Sequence, residues 1–200
     1  MADTAALPSC MALREFLDWE ERQPGKYEFI GGIVRAMASG TQGHNIIKVN
    51  IISMLRAKLR GGPCRPCDGD TKVVANAQSH YPDVTVDCGP LLAKATAASE
   101  PKIVFEVLSP STRDSDFAEK LPAYQATASI LQIVFAEPGR MHLYVWNRGV
   151  DGAWVESEVA RPDQPLALPS IAAELALTAI YEDIAQACAD IRLTAGHKKC

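Results

Sequence analysis

Apolar and polar positions along the chain fall into short periodic runs. Over about residues 10 to 21, Leu13, Phe16, Leu17 and Glu20 recur at helical spacing behind Ser9, a residue type that caps helices. "QPGK" breaks that run. "YEFIGGIVRAMA" then sets two β-prone stretches around Gly31-Gly32, the pattern of a hairpin. The clearest helix lies in "GTQGHNIIKVNIISMLRAKLRGGP": Ile47, Ile51, Met54, Leu55 and Leu59 make one apolar face, and Gly61-Gly62-Pro63 ends it. Strands are predicted near 64–75, 82–88 and 102–108, with "GPLLAKATAASEP" as a surface loop between the last two. A second helix follows over about 115–128, with a kink or a later start at Pro122. "ILQIVFA" and "MHLYVWN" read as two strands joined at "EPGR", and a last helix is expected around 171–189 behind a Pro-bounded loop. This order predicts an α/β or α+β domain with one mixed sheet covered by helices, preceded by a helix and a β-hairpin.

Composition narrows the picture. The chain has 200 residues, 48% of them hydrophobic and 22% charged, which suits one domain with a sizeable core. We expect that domain over residues 9–190, with flexible ends at 1–8 and 191–200. The net charge of -4 speaks against a protein that coats nucleic acid, but not against an enzyme with a local basic groove. Lys48, Arg56, Lys58, Arg60, Arg65 and Lys72 are candidates to line such a groove, and equally for an ordinary solvated face. No apolar run is long enough to span a bilayer, and "MADTAALPSC" lacks the basic start and apolar core of a signal peptide. The six cysteines are scattered, so the expectation is a cytoplasmic protein with mostly free thiols and no membrane partner. Cys64-Arg65-Pro66-Cys67 has no second ligand pair, which leaves zinc or thiol chemistry there as the weakest functional reading.

The candidate chemistry starts from Glu106, a carboxylate inside the apolar run "IVFEVL". A lone ionised carboxylate in a sheet shifts its pKa or finds a partner. Asp83 in "YPDVTVD" stands at the mouth of the preceding strand, because Pro82 is tolerated at a strand start. If the two strands are neighbours, the two carboxylates converge and need a cation between them, and Mg²⁺ suits a pair that leaves room for water. Lys120, fourteen positions beyond Glu106 on the following helix, can aim an ammonium back at that site and stabilise developing negative charge.

These residues carry a resemblance. "PD" before the strand, then "FEVLSPST", then Asp116 and Lys120 in "DFAEK", resemble the Uma2 (DUF820) family of the PD-(D/E)XK nuclease superfamily. "YEFIGG", the His-led helix and the approach "LRGGPCR" match in order, so that the resemblance spans roughly residues 12 to 182. It implies a restriction-endonuclease-like core and a Mg²⁺- or Mn²⁺-dependent endonuclease acting on DNA. Asp83 and Glu106 would be metal ligands, with the Val107 carbonyl, and Lys120 the assisting amine. Glu28 and His44 are second-rank candidate catalytic residues, able to complete the metal shell or act on water or phosphate. In the superfamily the lysine usually sits two residues after the glutamate. That position here is Leu108, so the resemblance implies a displaced lysine. Gly31 and Gln132 also depart from the family pattern, away from the proposed site. The superfamily's habit of cutting two strands with two sites admits a homodimer, although no sequence feature specifies an interface.

Other readings stay open at this point. Glu106 also reads as a structural carboxylate bonded to Lys120, Asp83 as turn chemistry, Lys120 as a solvated helix residue, and Glu28 and His44 as local hairpin and cap residues. The functional alternative is a catalytically inactive nuclease-fold module that binds nucleic acid or protein.

Overall fold

The computed structural model describes residues 11–37, 40–109 and 113–184. The terminal segments expected to be flexible, 1–8 and 191–200, lie outside these residues. Helix α1 spans Leu13–Glu20, and its entry is fixed by the Glu15 carboxylate accepting the Ala12 N–H at 2.8 Å. The hairpin follows as β1 (Tyr27–Ile30) and β2 (Ile33–Ala36), with Gly31 and Gly32 both at positive φ, as a tight two-residue turn requires. Helix α2 (Gln42–Lys58) is capped by the Thr41 hydroxyl accepting the His44 N–H. It buries Ile47, Ile51 and Leu55 as the periodicity predicts.

The predicted strand over 64–75 is two strands in two different sheets. β3 (Arg65–Asp68) joins the main sheet, whereas β4 (Val73–Ala75) turns back through Asn76 and Ala77, both at positive φ, into β5 (Gln78–His80). β6 (Val84–Asp87) and β7 (Pro101–Val107) follow as expected. The second helix is α3 (Arg113–Ser115), a π turn over Asp116–Lys120, and α4 (Leu121–Gln125), so Pro122 does mark an irregularity. β8 (Gln132–Ala136) and β9 (Leu143–Arg148) come next. β10 (Trp154–Val159) is an addition to the sequence reading.

The expected helix over 171–189 is corrected. β11 (Pro165–Leu168) and β12 (Ala173–Ala176) pair as a hairpin around a 3-10 turn at Pro169–Ile171, and only one turn of helix, α5 (Leu177–Ile180), follows. The reason is the period: Leu166, Leu168, Leu175 and Leu177 are buried at every second position. Residues 185–189 of that expectation lie outside the described residues.

The main sheet has the order β10-β9-β8-β7-β6-β3, and only the β7–β8 pair is parallel. A second sheet has the order β2-β1-β5-β4. The fold is thus a mixed α/β arrangement with a mixed central sheet. One sheet face packs Val84, Val86, Ile103 and Phe105 against α2 and the β11–β12 hairpin. The other packs Val104, Ile133, Phe135 and Leu108 against Ala123 and Tyr124 of α4. Alternation along β7 therefore sends Glu106 to the α4 face.

Two expectations about individual residues are overturned. Cys64 and Cys88 form a disulfide, because they flank β3 and β6 one step beyond the Arg65–Asp87 pair, with Cα atoms 4.0 Å apart. They are therefore not free thiols, and Cys64 is not a zinc ligand. Cys67 remains free. Lys72 does not line a groove: it is buried, with Nζ 2.7 Å from Glu20 Oε2. Arg65 is committed to Asp87 Oδ2 at 2.8 Å and to the Gly89 carbonyl. Among the described residues no helix is long and apolar enough to cross a membrane.

Asp87 closes the β6 end. Burial pushes its pKa up, but the Glu100 and Gly89 amides, Ser99 and Arg65 pull harder, and the net value falls below the usual carboxylate range. Its contribution is present above the unfolded pKa and lost as acid protonates the folded carboxylate. We expect Asp87→Asn to lower stability by about 1–3 kcal/mol in urea melts at neutral pH. An unchanged midpoint would show that these bonds contribute nothing net.

His80 is fully buried on β5, its ring edge-on to Tyr124 at 5.3 Å between centroids, and neither ring nitrogen has a hydrogen-bond partner among the described residues. Burial, helped by the nearby Lys120 charge, lowers its pKa from 6.5 to about 3. The folded protein holds the neutral ring while the unfolded chain takes up a proton. Stability from this source is full above pH 6.5 and falls as pH drops toward 3. His80→Leu should flatten the pH dependence of urea stability below pH 6.5 by about 1.4 kcal/mol per pH unit. Equal slopes in both proteins would refute a neutral, buried imidazole.

Candidate active site

The pairing of β6 with β7 brings Asp83 to the backbone beside Glu106. Val84, the first residue of β6, pairs with Phe105, so Asp83 just ahead of β6 comes next to the Glu106–Val107 end of β7. The Val107 N–H donates to Asp83 Oδ2 at 2.7 Å, which ties Asp83 to the backbone next to Glu106. His44, on the first turn of α2, places Nε2 2.7 Å from Asp83 Oδ1. Both carboxylate oxygens of Asp83 are thereby oriented.

Glu106 is buried. Its Oε1 accepts the Tyr124 hydroxyl at 2.7 Å and lies 3.3 Å from Lys120 Nζ. The same ammonium is 3.3 Å from Glu28 Oε1 and 3.3 Å from Asp116 Oδ1. Glu28, on β1, also accepts the Tyr81 N–H at 3.1 Å. All five sequence-selected residues therefore fall into two touching groups. Asp83 and His44 form one, and Glu106, Lys120 and Glu28 form the other.

The electrostatics follow from this crowding. Burial, first, raises the Glu106 pKa well above the usual carboxylate range. Lys120 opposes that, whereas Asp83, Asp116 and Glu28 add to it. For Lys120, burial alone would lower the pKa, but Glu106, Glu28, Asp116 and Asp83 outweigh it, and the net shift is upward. The amine is therefore a permanent ammonium at neutral pH, a hydrogen-bond donor and not a base. Tyr124 is raised well above the tyrosine range, by burial and then by Glu106 and Glu28, so its hydroxyl stays protonated.

The sequence reading left out three residues of the site. Asp116 entered only as part of a motif, although it is buried beside Lys120. Tyr124 and Tyr81 were passed over as aromatics. A signal existed for two of them: Asp116, Lys120 and Tyr124 recur at four-residue spacing, a polar stripe on one helix face. The hairpin is held to that helix by a second pair, with both Arg35 Nη atoms on the Glu119 carboxylate.

The donor chemistry of this site is hard oxygen, the kind Mg²⁺ takes. No hydrogen bond among the described residues falls on Glu106 Oε2. Among the same residues, no three His, Cys, Asp or Glu side chains form a ready-made chelate. Mg²⁺ sites commonly rest on one or two carboxylates and water, so the Asp83–Glu106 pair fits that ion and not a fully protein-caged metal.

Comparison with known proteins gives the family and the fold. The Uma2 family model, described as "Putative restriction endonuclease", matches residues 13–179. "Uncharacterized protein slr1290" of Synechocystis sp. is 32% identical over 174 residues, covering 86% of this chain and 91% of that protein. The fold is similar to the crystal structure of "a putative nuclease belonging to DUF820" from Anabaena variabilis. There the TM-score is 0.71 at 17% identity, covering 87% of this chain and 99% of that one. The chain belongs to the Uma2 family.

Proposed function

We propose that this protein is a Mg²⁺-dependent endonuclease that hydrolyses phosphodiester bonds in DNA, with Mn²⁺ as an alternative ion. The observation that carries the reading is that Asp83 is bonded to the Val107 N–H, next to Glu106, whose own carboxylate faces the Lys120 ammonium. The family description and the nuclease-like fold support the substrate class.

Asp83 and Glu106 would hold the ion. When bound, it supplies positive charge and Lewis acidity at the phosphate. His44 and the Val107 amide keep the Asp83 oxygens in place. Lys120 donates hydrogen bonds and stabilises negative charge gathering on the phosphoryl oxygens in the transition state. Glu28 and Asp116 anchor that ammonium from two sides, so it does not swing away from the sheet.

A second reading has one observation in its favour. The Lys120 ammonium already neutralises part of the carboxylate cluster, and a protein of this design can serve as an inactive nuclease-fold binding module. Calorimetry with Mg²⁺ or Mn²⁺, with and without DNA, separates the two: no heat of binding favours the module.

For the nuclease, purified protein with Mg²⁺ should nick plasmid or single-stranded DNA. Asp83→Asn and Glu106→Gln should each abolish it. Cutting that persists in both variants rejects the site. Lys120→Met should slow cutting by about 10²–10³-fold. It should also cost about 3–5 kcal/mol of stability, because it leaves buried carboxylates without their cation. A variant as stable as the wild type in urea would mean that the ammonium is not the cluster's counter-charge.

A further inference from the structure

Helix geometry and one hydroxyl give Tyr124 a role of its own. The Leu121 N–H donates to the Asp116 carbonyl, five residues back, which defines the π turn. Pro122 has no N–H to offer the preceding turn, so a widened turn here forfeits no bond that a regular helix would have made. Asp116, Lys120 and Tyr124 are all buried along this segment. The Tyr124 ring is buried in the apolar cluster beside the sheet and also meets His80 edge-on. Its one polar atom donates to Glu106 Oε1 at 2.7 Å, the same oxygen that faces Lys120 Nζ at 3.3 Å. The hydroxyl bond and the ammonium ion pair both fall on Oε1, and they leave Oε2 as the oxygen without a described partner.

We propose that Tyr124 is a positioning residue: its hydroxyl locks Glu106 through Oε1 so that Oε2 is presented to a divalent cation. This inference rests on the metal-dependent reading above and adds a residue to it. Groups that orient a metal-ligating carboxylate commonly change metal affinity or activity by about 10–100-fold when removed.

Tyr124→Phe removes the donor and keeps the ring against His80. Titration of metal-free protein with Mn²⁺ in a calorimeter should show affinity about 10–100-fold weaker than wild type. In DNA cutting, the Mn²⁺ concentration for half-maximal rate should rise by the same factor, with the rate at saturating Mn²⁺ largely restored. His80→Leu, which replaces one apolar-packed neighbour of the ring and keeps the hydroxyl bond, should bind Mn²⁺ as wild type does. Tyr124→Met is read in the same way if the phenylalanine variant does not fold. Wild-type affinity in either folded Tyr124 variant overturns the positioning role and leaves the nuclease reading intact. Equal losses in Tyr124→Phe and His80→Leu overturn it as well, since general loosening would then be the cause. A wild-type protein that binds no Mn²⁺ removes both readings at once.

Discussion

The ammonium of Lys120 sits among three carboxylates, Glu28, Glu106 and Asp116, each with an oxygen 3.3 Å away. These groups come from a hairpin strand, the centre of the main sheet and the crossover helix, and without their cation they would repel one another in a poorly solvated space. Docking of the second sheet, seating of the helix and assembly of the site are consequently one event. The neighbouring contacts reinforce it. Arg35 grips Glu119 one residue before the lysine, and Tyr81 links Glu28 through its N–H to Glu20 through its hydroxyl. Glu20 in turn holds the buried Lys72, so α1 and the β4 approach are tied into the same polar network.

Such a network carries a stability cost that apolar packing at the same positions would avoid, since desolvating charges opposes their mutual attraction. Here the compensation comes from geometry: three of the site carboxylates each have more than one donor or cationic partner. Glu106 takes Tyr124 and Lys120, Glu28 takes Tyr81 and Lys120, and Asp83 takes His44 and Val107. The two apolar clusters on either side of the sheet supply the surrounding core.

Legibility in the sequence followed the strength of each local pattern. The strand patterns pointed to Asp83 at a strand mouth and Glu106 within the next strand, and the recurrence of apolar residues at helical spacing located α2 and its buried face. β5, "QSH", has no apolar alternation, and its burial comes from sheet pairing with β1 and β4. β10 is a mostly exposed edge strand whose "VESEV" pattern resembles solvent-facing loop as much as sheet. The tail was misread because alanine-rich "IAAELALTAI" suits a helix by propensity, while leucines at every second position fit the hairpin that tertiary packing selects. The Cys64–Cys88 bond depends on strand register, which spacing in the chain does not reveal. Lys120 was picked out by its place on the helix after Glu106, but a helix lysine carries no mark of which carboxylates will surround its amine.

The displaced lysine is a physical alternative with its own consequence. Leu108, two residues past Glu106, shares its sheet face and is packed with Ala123, Tyr124 and Ile130. An ammonium on that strand would be held by the sheet alone. Placed on the π turn, it reaches Glu106 from above, and its position depends on the helix being packed and on the hairpin's Glu28 being docked. A strand lysine would form with the sheet. A helix lysine makes the amine and the metal-facing carboxylates separable parts, joined only when the crossover segment is in register. Asp116, Lys120 and Tyr124 at four-residue spacing show how that register is enforced, since slipping the helix by one residue would withdraw all three contacts together.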